Sequence, residues 1–323
     1  MRLLKLVPDN TNIDFLRLRF ITTGISILLI IASIFLVATR GFNLGIDFVG
    51  GQMVRVSFAQ PAAIDDLRTR IEALDLGEAT IQQFGKPTDV SIRMPLPKGG
   101  DAAANVAAER VKEAILAGHP DARFDAVETV SGKVSQELFT TGAWATGLAM
   151  VGIALYIWFR FEWQFGVGGL LSLFHDVTLT LGFFALTQLQ FDLNVVAAIL
   201  TIVGYSLNDT IVIYDRIRED LRKYRKMEIV PLLNGAVNET LARTIMTSVT
   251  MLVALVILLF LGPENIFGLT AAISLGIVIG TYSSIYVAAP MLIWLKVGPN
   301  SFVPARPAKS ISEAAERVGR REG

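Results

Sequence analysis

Asp209 lies inside Val195–Tyr214, an apolar stretch of the length that crosses a bilayer. A carboxylate there costs about 2.5–3.5 kcal/mol on insertion scales, so such a group faces a protein interior or a wet cavity and either marks a proton or ion path or belongs to a polar patch that glues helices together. Asn208 is its neighbour, Ser206 is one turn away, and Tyr205 stands four residues before it on the same helix face. Gly204 is small enough for close helix approach or entry of water. Arg243 opens the next apolar stretch and can reach inward. Either it pairs with Asp209, giving a contact that an arriving proton would weaken, or it extends to the headgroups. A second polar pair, His175 and Asp176, sits near the middle of another apolar stretch, as a proton carrier or as a hydrogen-bonded packing contact. Thr247, with Ser172, Thr178, Thr180, Asn194, Thr201, Ser248 and Thr250, either lines a hydrated seam or bonds to its own helix backbone. The chemistry this set offers is proton relay by Asp209 and Arg243, supported by Asn208, Ser206, His175, Asp176 and Thr247.

Other chemistries find little here. The chain has no cysteine, which excludes disulfides, thiolate metal sites and thiol nucleophiles. Only His119 and His175 are present, too few for a histidine metal site. No nucleophile–base pair emerges, so the expectation is a transport subunit and not an enzyme, with protons as coupling ion and no cofactor. Formal net charge is zero, which leaves no basic footprint for nucleic acid.

The elements that must hold these residues are spans in lipid. The 323 residues are 52% hydrophobic and the mean hydropathy is +0.52. Six stretches have spanning length: Phe20–Thr39, Thr141–Phe159, Phe165–Leu186, Leu193–Tyr214, Ile245–Leu261 and Phe267–Leu295. The last contains Pro290 and is expected to tilt, kink or run along the inner surface. The first is too long for a signal-peptide core and lacks a small-x-small cleavage site, so it reads as a retained anchor. Lys and Arg crowd the N-terminal segment, the loop after span four (Arg216 to Lys226) and the tail, and are missing from 188–192 and 262–265. Both termini are therefore expected in the cytoplasm, with residues 40–138 outside, in the periplasm of a bacterium. Asp209 then lies about 8 Å inside the cytoplasmic border at 1.5 Å per residue.

The expected division is 1–19 cytoplasmic segment, 20–39 first span, 40–138 periplasmic domain, 139–295 spans two to six and 296–323 mobile tail. Within the domain, Met53–Ala59, Ala79–Phe84, Val90–Met94 and Arg123–Val130 read as strands. Ala62–Leu74 and a segment from Asp101 to about Ala117 read as helices, with Asp101 as cap. The order β-α-β-β-α-β is the ferredoxin-like split βαβ. The fold class expected is thus a polytopic α-helical membrane protein of six spans, with an α+β ferredoxin-like domain between the first and second. Glu228–Leu241 is expected as a short interfacial helix before span five. Asp215 to Asp220 extends span four as a solvated positive helix end or a docking surface, with Arg216 and Asp220 at opposite-sign i, i+4 positions.

Four stretches together resemble the SecF branch of the SecD/SecF protein-export family, within the resistance-nodulation-division superfamily. They are Gly45-Ile-Asp-Phe-Val-Gly-Gly51, His175-Asp-Val177, Gly204 to Val212 with Asp215-Arg-Ile-Arg-Glu219, and Arg243-Thr-Ile-Met-Thr-Ser248. The first alone also fits SecD. The resemblance runs from the first span to the sixth and implies a pseudo-symmetric twelve-span unit with SecD. That unit draws on the proton-motive force to pull preprotein outward after SecA and SecYEG, with YajC as a further associate and lipid as surroundings. It also implies proton transport at Asp209 and Arg243, completed by a SecD aspartate. It assigns no firm role to His175 and Asp176. Two rivals remain: a structural scaffold of the translocon, and a half-transporter for a small molecule or lipid, which usually needs a larger porter domain.

Overall fold

In lipid, backbone N–H and C=O groups find partners only within a helix or a closed barrel. Helix α1 (Arg19–Arg40) meets that demand over 22 residues, with charge only at its two ends. The computed structural model describes residues 7–8, 11–84 and 86–298. Arg2, Lys5 and the tail expected to be mobile, from residue 299 onward, lie outside the described residues.

After α1 come α2 (Ile46–Val49), β1 (Gly51–Ser57), α3 (Ile64–Glu72), β2 (Thr80–Phe84), β3 (Lys86–Met94), α4 (Gly100–Leu116) and β4 (Arg123–Val130). The sheet order is β2-β3-β1-β4 with every neighbour antiparallel, the ferredoxin-like arrangement expected from the order of elements. Alternate residues Val54, Val56, Val90 and Ile92 pack under Leu67 and Ile71 of α3 and Ala108, Val111 and Ile115 of α4. β3 begins at Lys86, before the expected Val90, because its exposed polar start continues the hairpin with β2. Helix α4 has Gly99 at its N-cap position, and the side chain of the expected cap Asp101 lies outside the described residues.

On this domain Asp66 accepts from Arg70 at 2.7 Å and pairs with His119 at 3.2 Å. The Arg70 hydrogen bond, then that of His119, holds the Asp66 carboxyl below its ordinary value of 3.8. A depressed carboxylate stabilises the fold above its unfolded value, and that contribution disappears as pH falls through the folded one. Acidification from neutral to about pH 3 is expected to lower the thermal midpoint less in Asp66→Asn than in the native chain. Equal losses in a pH series of melting curves would contradict this.

Five further helices follow: α5 (Gly132–Arg160), α6 (Trp163–Thr187), α7 (Leu193–Lys223), α8 (Ile229–Leu261) and α9 (Phe267–Ser283), the last extended by a π turn (Ser284–Ala288) into α10 (Ala289–Trp294). With α1 they give six helices long and apolar enough to cross a membrane among the described residues. Helix α5 starts at Gly132, ahead of the expected boundary at 138, because the Ser131 hydroxyl caps it by accepting from the Val134 N–H at 3.3 Å. The interfacial helix expected over Glu228–Leu241 is not separate. Residues 229–261 form one helix, with Pro231 in the first turn, where a missing N–H loses no helical bond. Leu233, Ala236 and Val237 are buried in the cluster that holds Ile217 and Leu221 of α7, so packing carries the helix across its polar stretch. In the last span a π turn lies just ahead of Pro290, and the Tyr214 hydroxyl donates to the Ala288 carbonyl at 3.0 Å.

The N-terminal segment also docks on α8. Asn238 exchanges two hydrogen bonds with the Ile13 backbone at 2.9 Å each, and Asn234 accepts from the Leu16 N–H at 3.1 Å.

Domain and bundle meet at the stretch before β1. Gly45 N–H donates to the Phe191 carbonyl and Phe191 N–H to that of Asn43, each at 2.8 Å. Asp47 accepts from the Leu193 N–H, at the first turn of α7, at 3.0 Å. Phe42 stacks on Phe191 with centroids 4.9 Å apart. The chain then turns into β1 through Gly50 and Gly51, at φ +75° and +120°. A Cβ on Gly51 would sit 2.6 Å from the Met94 carbonyl oxygen. Gly51→Ala is therefore expected to cost about 1–3 kcal/mol in backbone strain, with the clash added to it. Thermal unfolding of the purified full chain measures this, and an unchanged midpoint would refute it.

Candidate functional site

Helices α6, α7 and α9 carry the polar residues, and their close approach rests on glycine. A Cβ on Gly276 would overlap Ile202, and one on Gly280 would lie 3.1 Å from the Ser206 Cβ. Small residues at these positions let α9 lie directly on α7, as interhelical contacts in lipid require. That approach brings Ser206 of α7 and Ser283 of α9 onto one carboxylate of α6.

The carboxylate is Asp176. Its Oδ1 meets His175 Nδ1 at 2.8 Å. Its Oδ2 accepts from the Ser206 hydroxyl and, at 2.8 Å, from that of Ser283. Ser172 donates to Ser283 at 3.1 Å. His175 and Asp176 are 1% and 0% exposed, and His175 Nε2 has no hydrogen-bond partner. The His175 ring stacks on Tyr282 with centroids 6.0 Å apart. The Tyr282 hydroxyl in turn donates to the Thr22 carbonyl of α1 at 3.0 Å and pairs with Ser26 at 3.1 Å. A second polar chain joins α7, α8 and α9: Tyr205 to Ser248 at 3.1 Å and Ser248 to Thr281 at 2.7 Å.

Asp209 is 3% exposed, and its Oδ2 is buried without a hydrogen-bond partner. Helices α7 and α8 pack together, yet no ion pair joins Asp209 to Arg243 among the described residues. Arg243 is exposed and lines an open cavity of about 390 Å³ with Asp215, Glu219 and Glu239. Asn208, Thr201 and Gly204 are exposed on α7, as are Thr247 and Thr250 on α8. The Thr247 hydroxyl returns to its own backbone at the Arg243 carbonyl, 3.0 Å away. Together these positions form a polar stripe on the outer side of α7 and α8.

At the end of the bundle away from the domain, charges bridge helices. Arg216 reaches Glu219 at 3.0 Å, Asp220 at 3.3 Å and Glu239 of α8. Arg218 holds Glu162 at 3.1 Å, and Arg160 of α5 holds Asp215 at 3.2 Å. The helix end expected as a solvated positive end or a docking surface carries the Arg216–Asp220 pair and is also tied to α5 and α8 by ion pairs.

Of the residues singled out in the sequence, Ser172, Ser206, His175 and Asp176 come together and Tyr205 meets Ser248, while Asp209 and Arg243 do not touch and Asn208 and Thr247 face outward. Thr281, Tyr282 and Ser283 were not anticipated. Their signal is the Gly276–Gly280 spacing immediately before them, which marks a face of close helix contact.

Comparison with known proteins follows the same outline. Residues 110–298 match the family model described as protein export membrane protein SecD/SecF, C-terminal, and residues 35–62 match the SecD/SecF GG motif. The protein translocase subunit SecF of Cereibacter sphaeroides is 45% identical over 91% of this chain and 93% of its own. That of Pseudomonas aeruginosa is 39% identical over 94% and 97%. The crystal structure of SecDF from Thermus thermophilus, described as a translocon-associated membrane protein, superposes with a TM-score of 0.81 at 34% identity over 89% of this chain. A second SecDF structure, in a super-membrane-facing form, gives a TM-score of 0.64 at 30% identity over 99% of this chain. This chain spans only 39% and 41% of those two SecDF chains.

Proposed function

Because the chain belongs to the SecF protein translocase subunits of the SecD/SecF family, we propose that it is one half of a proton-driven export unit whose other half is SecD. The unit sits in the bacterial inner membrane. Its termini are cytoplasmic and its ferredoxin-like domain is periplasmic, the orientation favoured by Lys and Arg near the termini and after span four. It acts late in export, pulling outward a preprotein delivered by SecA and SecYEG, with YajC as a further associate. Protons are the coupling ion, and no other cofactor enters.

The observation that carries this reading is the polar stripe beside Asp209. Thr201, Gly204 and Asn208 on α7 and Arg243 and Thr247 on α8 are exposed on helices of spanning length. Polar side chains facing hydrocarbon are costly, so this face favours contact with another polar helix over lipid. SecD supplies that helix, and an aspartate on it completes the site with Asp209 and Arg243. Asp209 carries the proton, and Arg243 balances the carboxylate charge when the proton leaves. A proton drives movement only if the two conformations bind it with different affinity. Closure of the SecD face over Asp209 provides that difference by changing how well its charge is compensated.

The experiment uses inverted membrane vesicles holding the complex, exhausted of ATP, with a preprotein arrested partway. An imposed proton gradient is expected to complete translocation, and a protonophore to stop it. Completion indifferent to the gradient would leave the chain a scaffold.

A further inference from the structure

His175 and Asp176, which the Asp209–Arg243 relay does not involve, form a fully enclosed ionisable pair in the bundle. The Asp176 carboxylate takes three donors: the imidazole of its neighbour, Ser206 of α7 and Ser283 of α9. With the proton of a neutral imidazole on Nδ1, facing Asp176, the other nitrogen is a bare lone pair. That nitrogen, Nε2, is buried and has no hydrogen-bond partner. A carboxylate beside a neutral imidazole leaves one uncompensated negative charge in an apolar interior. One proton on Nε2 turns the pair into an imidazolium and a carboxylate of zero net charge, the cheaper state for a buried site. The ring would then face Tyr282 as a cation over a π face.

The surroundings offer little else to neutralise the charge. Within the apolar stretches packed on α6, the titratable groups are Tyr156 of α5, Tyr205, Asp209 and Tyr214 of α7, Tyr282 of α9 and Tyr286 of the π turn. Helix α1 brings the hydroxyl of Ser26 and no acid or base between its terminal arginines. Asp209 follows Ser206 by one turn, so the two carboxylates, Asp176 and Asp209, bear on the same segment of α7.

The geometry points to His175 and Asp176 as a second proton-binding site, taking its proton at His175 Nε2 and passing its state to the last span through Tyr282 and Ser283. Ser283 is the last residue of α9 before the π turn, a local irregularity that frequently accompanies functional positions. Loading the site creates an N–H on Nε2 that needs an acceptor, and its nearest ring partner, Tyr282, is tied to α1. Proton arrival therefore rearranges the α1–α6–α9 junction, whereas proton arrival at Asp209 acts between α7 and α8. As a proton-binding site this stands by itself; as a station in export it rests on the proton-driven reading.

The chain has two histidines, so His119→Gln leaves His175 as its one imidazole. This chain alone, labelled with ¹⁵N-histidine and assembled with unlabelled SecD in bilayers, is followed by NMR over about pH 5–8. His175 Nε2 is expected to pass from the neutral to the imidazolium shift, in the native background and equally in Asp209→Asn. A resonance that stays in one form throughout overturns the site. In parallel, His175→Asn keeps an N–H for Asp176 but cannot bind a proton. It is expected to assemble with SecD and lower gradient-driven export by about tenfold or more. Native export in that variant overturns the role in transport. If Asp209→Asn exports normally while His175 titrates, the proton-driven reading falls and the proton site stands.

Discussion

Asp209→Asn is expected to remove the gradient-dependent part of export entirely while leaving the complex at least as stable as the native one. The two effects have one origin. The carboxylate is 3% exposed, with Oδ2 unpartnered, inside a helix of spanning length. Keeping it ionised there costs about 2.5–3.5 kcal/mol on insertion scales. A carboxamide of nearly the same shape removes that cost and still offers a hydrogen-bonding oxygen. It cannot take up a proton, so no difference in proton affinity remains to bias one conformation over another. Vesicle assays with and without a protonophore measure the first effect, and thermal unfolding of the purified complex the second. Were Asp209 only packing, Asn would serve as well and export would keep its gradient dependence. Lost export together with a lowered melting point would point to damage in assembly.

Gly280→Leu is expected to have the largest effect on stability. Even a bare Cβ at this position lies 3.1 Å from the Ser206 Cβ and 3.4 Å from its Cα, and the latter is backbone that cannot swing away. A leucine must therefore push α9 off α7. Overpacking of this kind costs about 1–3 kcal/mol. The separation also draws the Ser206 and Ser283 hydroxyls from Asp176, and hydrogen bonds to a charged group are worth about 1.5–3 kcal/mol each. Gly276→Leu meets the Ile202 side chain, which can rotate, and is expected to cost less. Melting temperatures of the two variants in the same detergent give the order. A Gly280→Leu chain as stable as the native one would show that the α7–α9 contact is looser than its geometry.

Much of this architecture is legible in the residues. Long apolar runs bounded by arginine mark spans such as α1, and alternation at Val54 and Val56 against helical spacing at Leu67 and Ile71 marks the α+β domain. What fails to show is long-range. Asn238, Glu239 and Thr240 interrupt the apolar pattern and suggest a break that α8 does not have, because burial of Ala236 and Val237 against distant residues decides the matter. Asp209, His175 and Asp176 stand out as ionisable residues in apolar runs. That Ser206 and Ser283 converge on Asp176 depends on which helices pack, and the glycines that permit it name no partner. Reach alone leaves Arg243 open between pairing with Asp209 and extending outward; in the folded chain it lines the open cavity beside Glu239.

Asp47 belongs to the stretch that leads into the domain, yet its carboxylate holds the first turn of α7. Asp209 rides sixteen residues further along that same helix, about 24 Å at 1.5 Å per residue. A helix held at one end and loaded at the other behaves as a stiff connecting rod. An axial slip or a turn at the acid reaches Asp47 with little lost to bending. From there Phe48, Val49 and Gly50 lead straight into β1, which opens on Gly51. The domain is held to the bundle at its root, so on the proton-driven reading proposed above a small stroke at the acid would become a larger arc at the far end of the sheet.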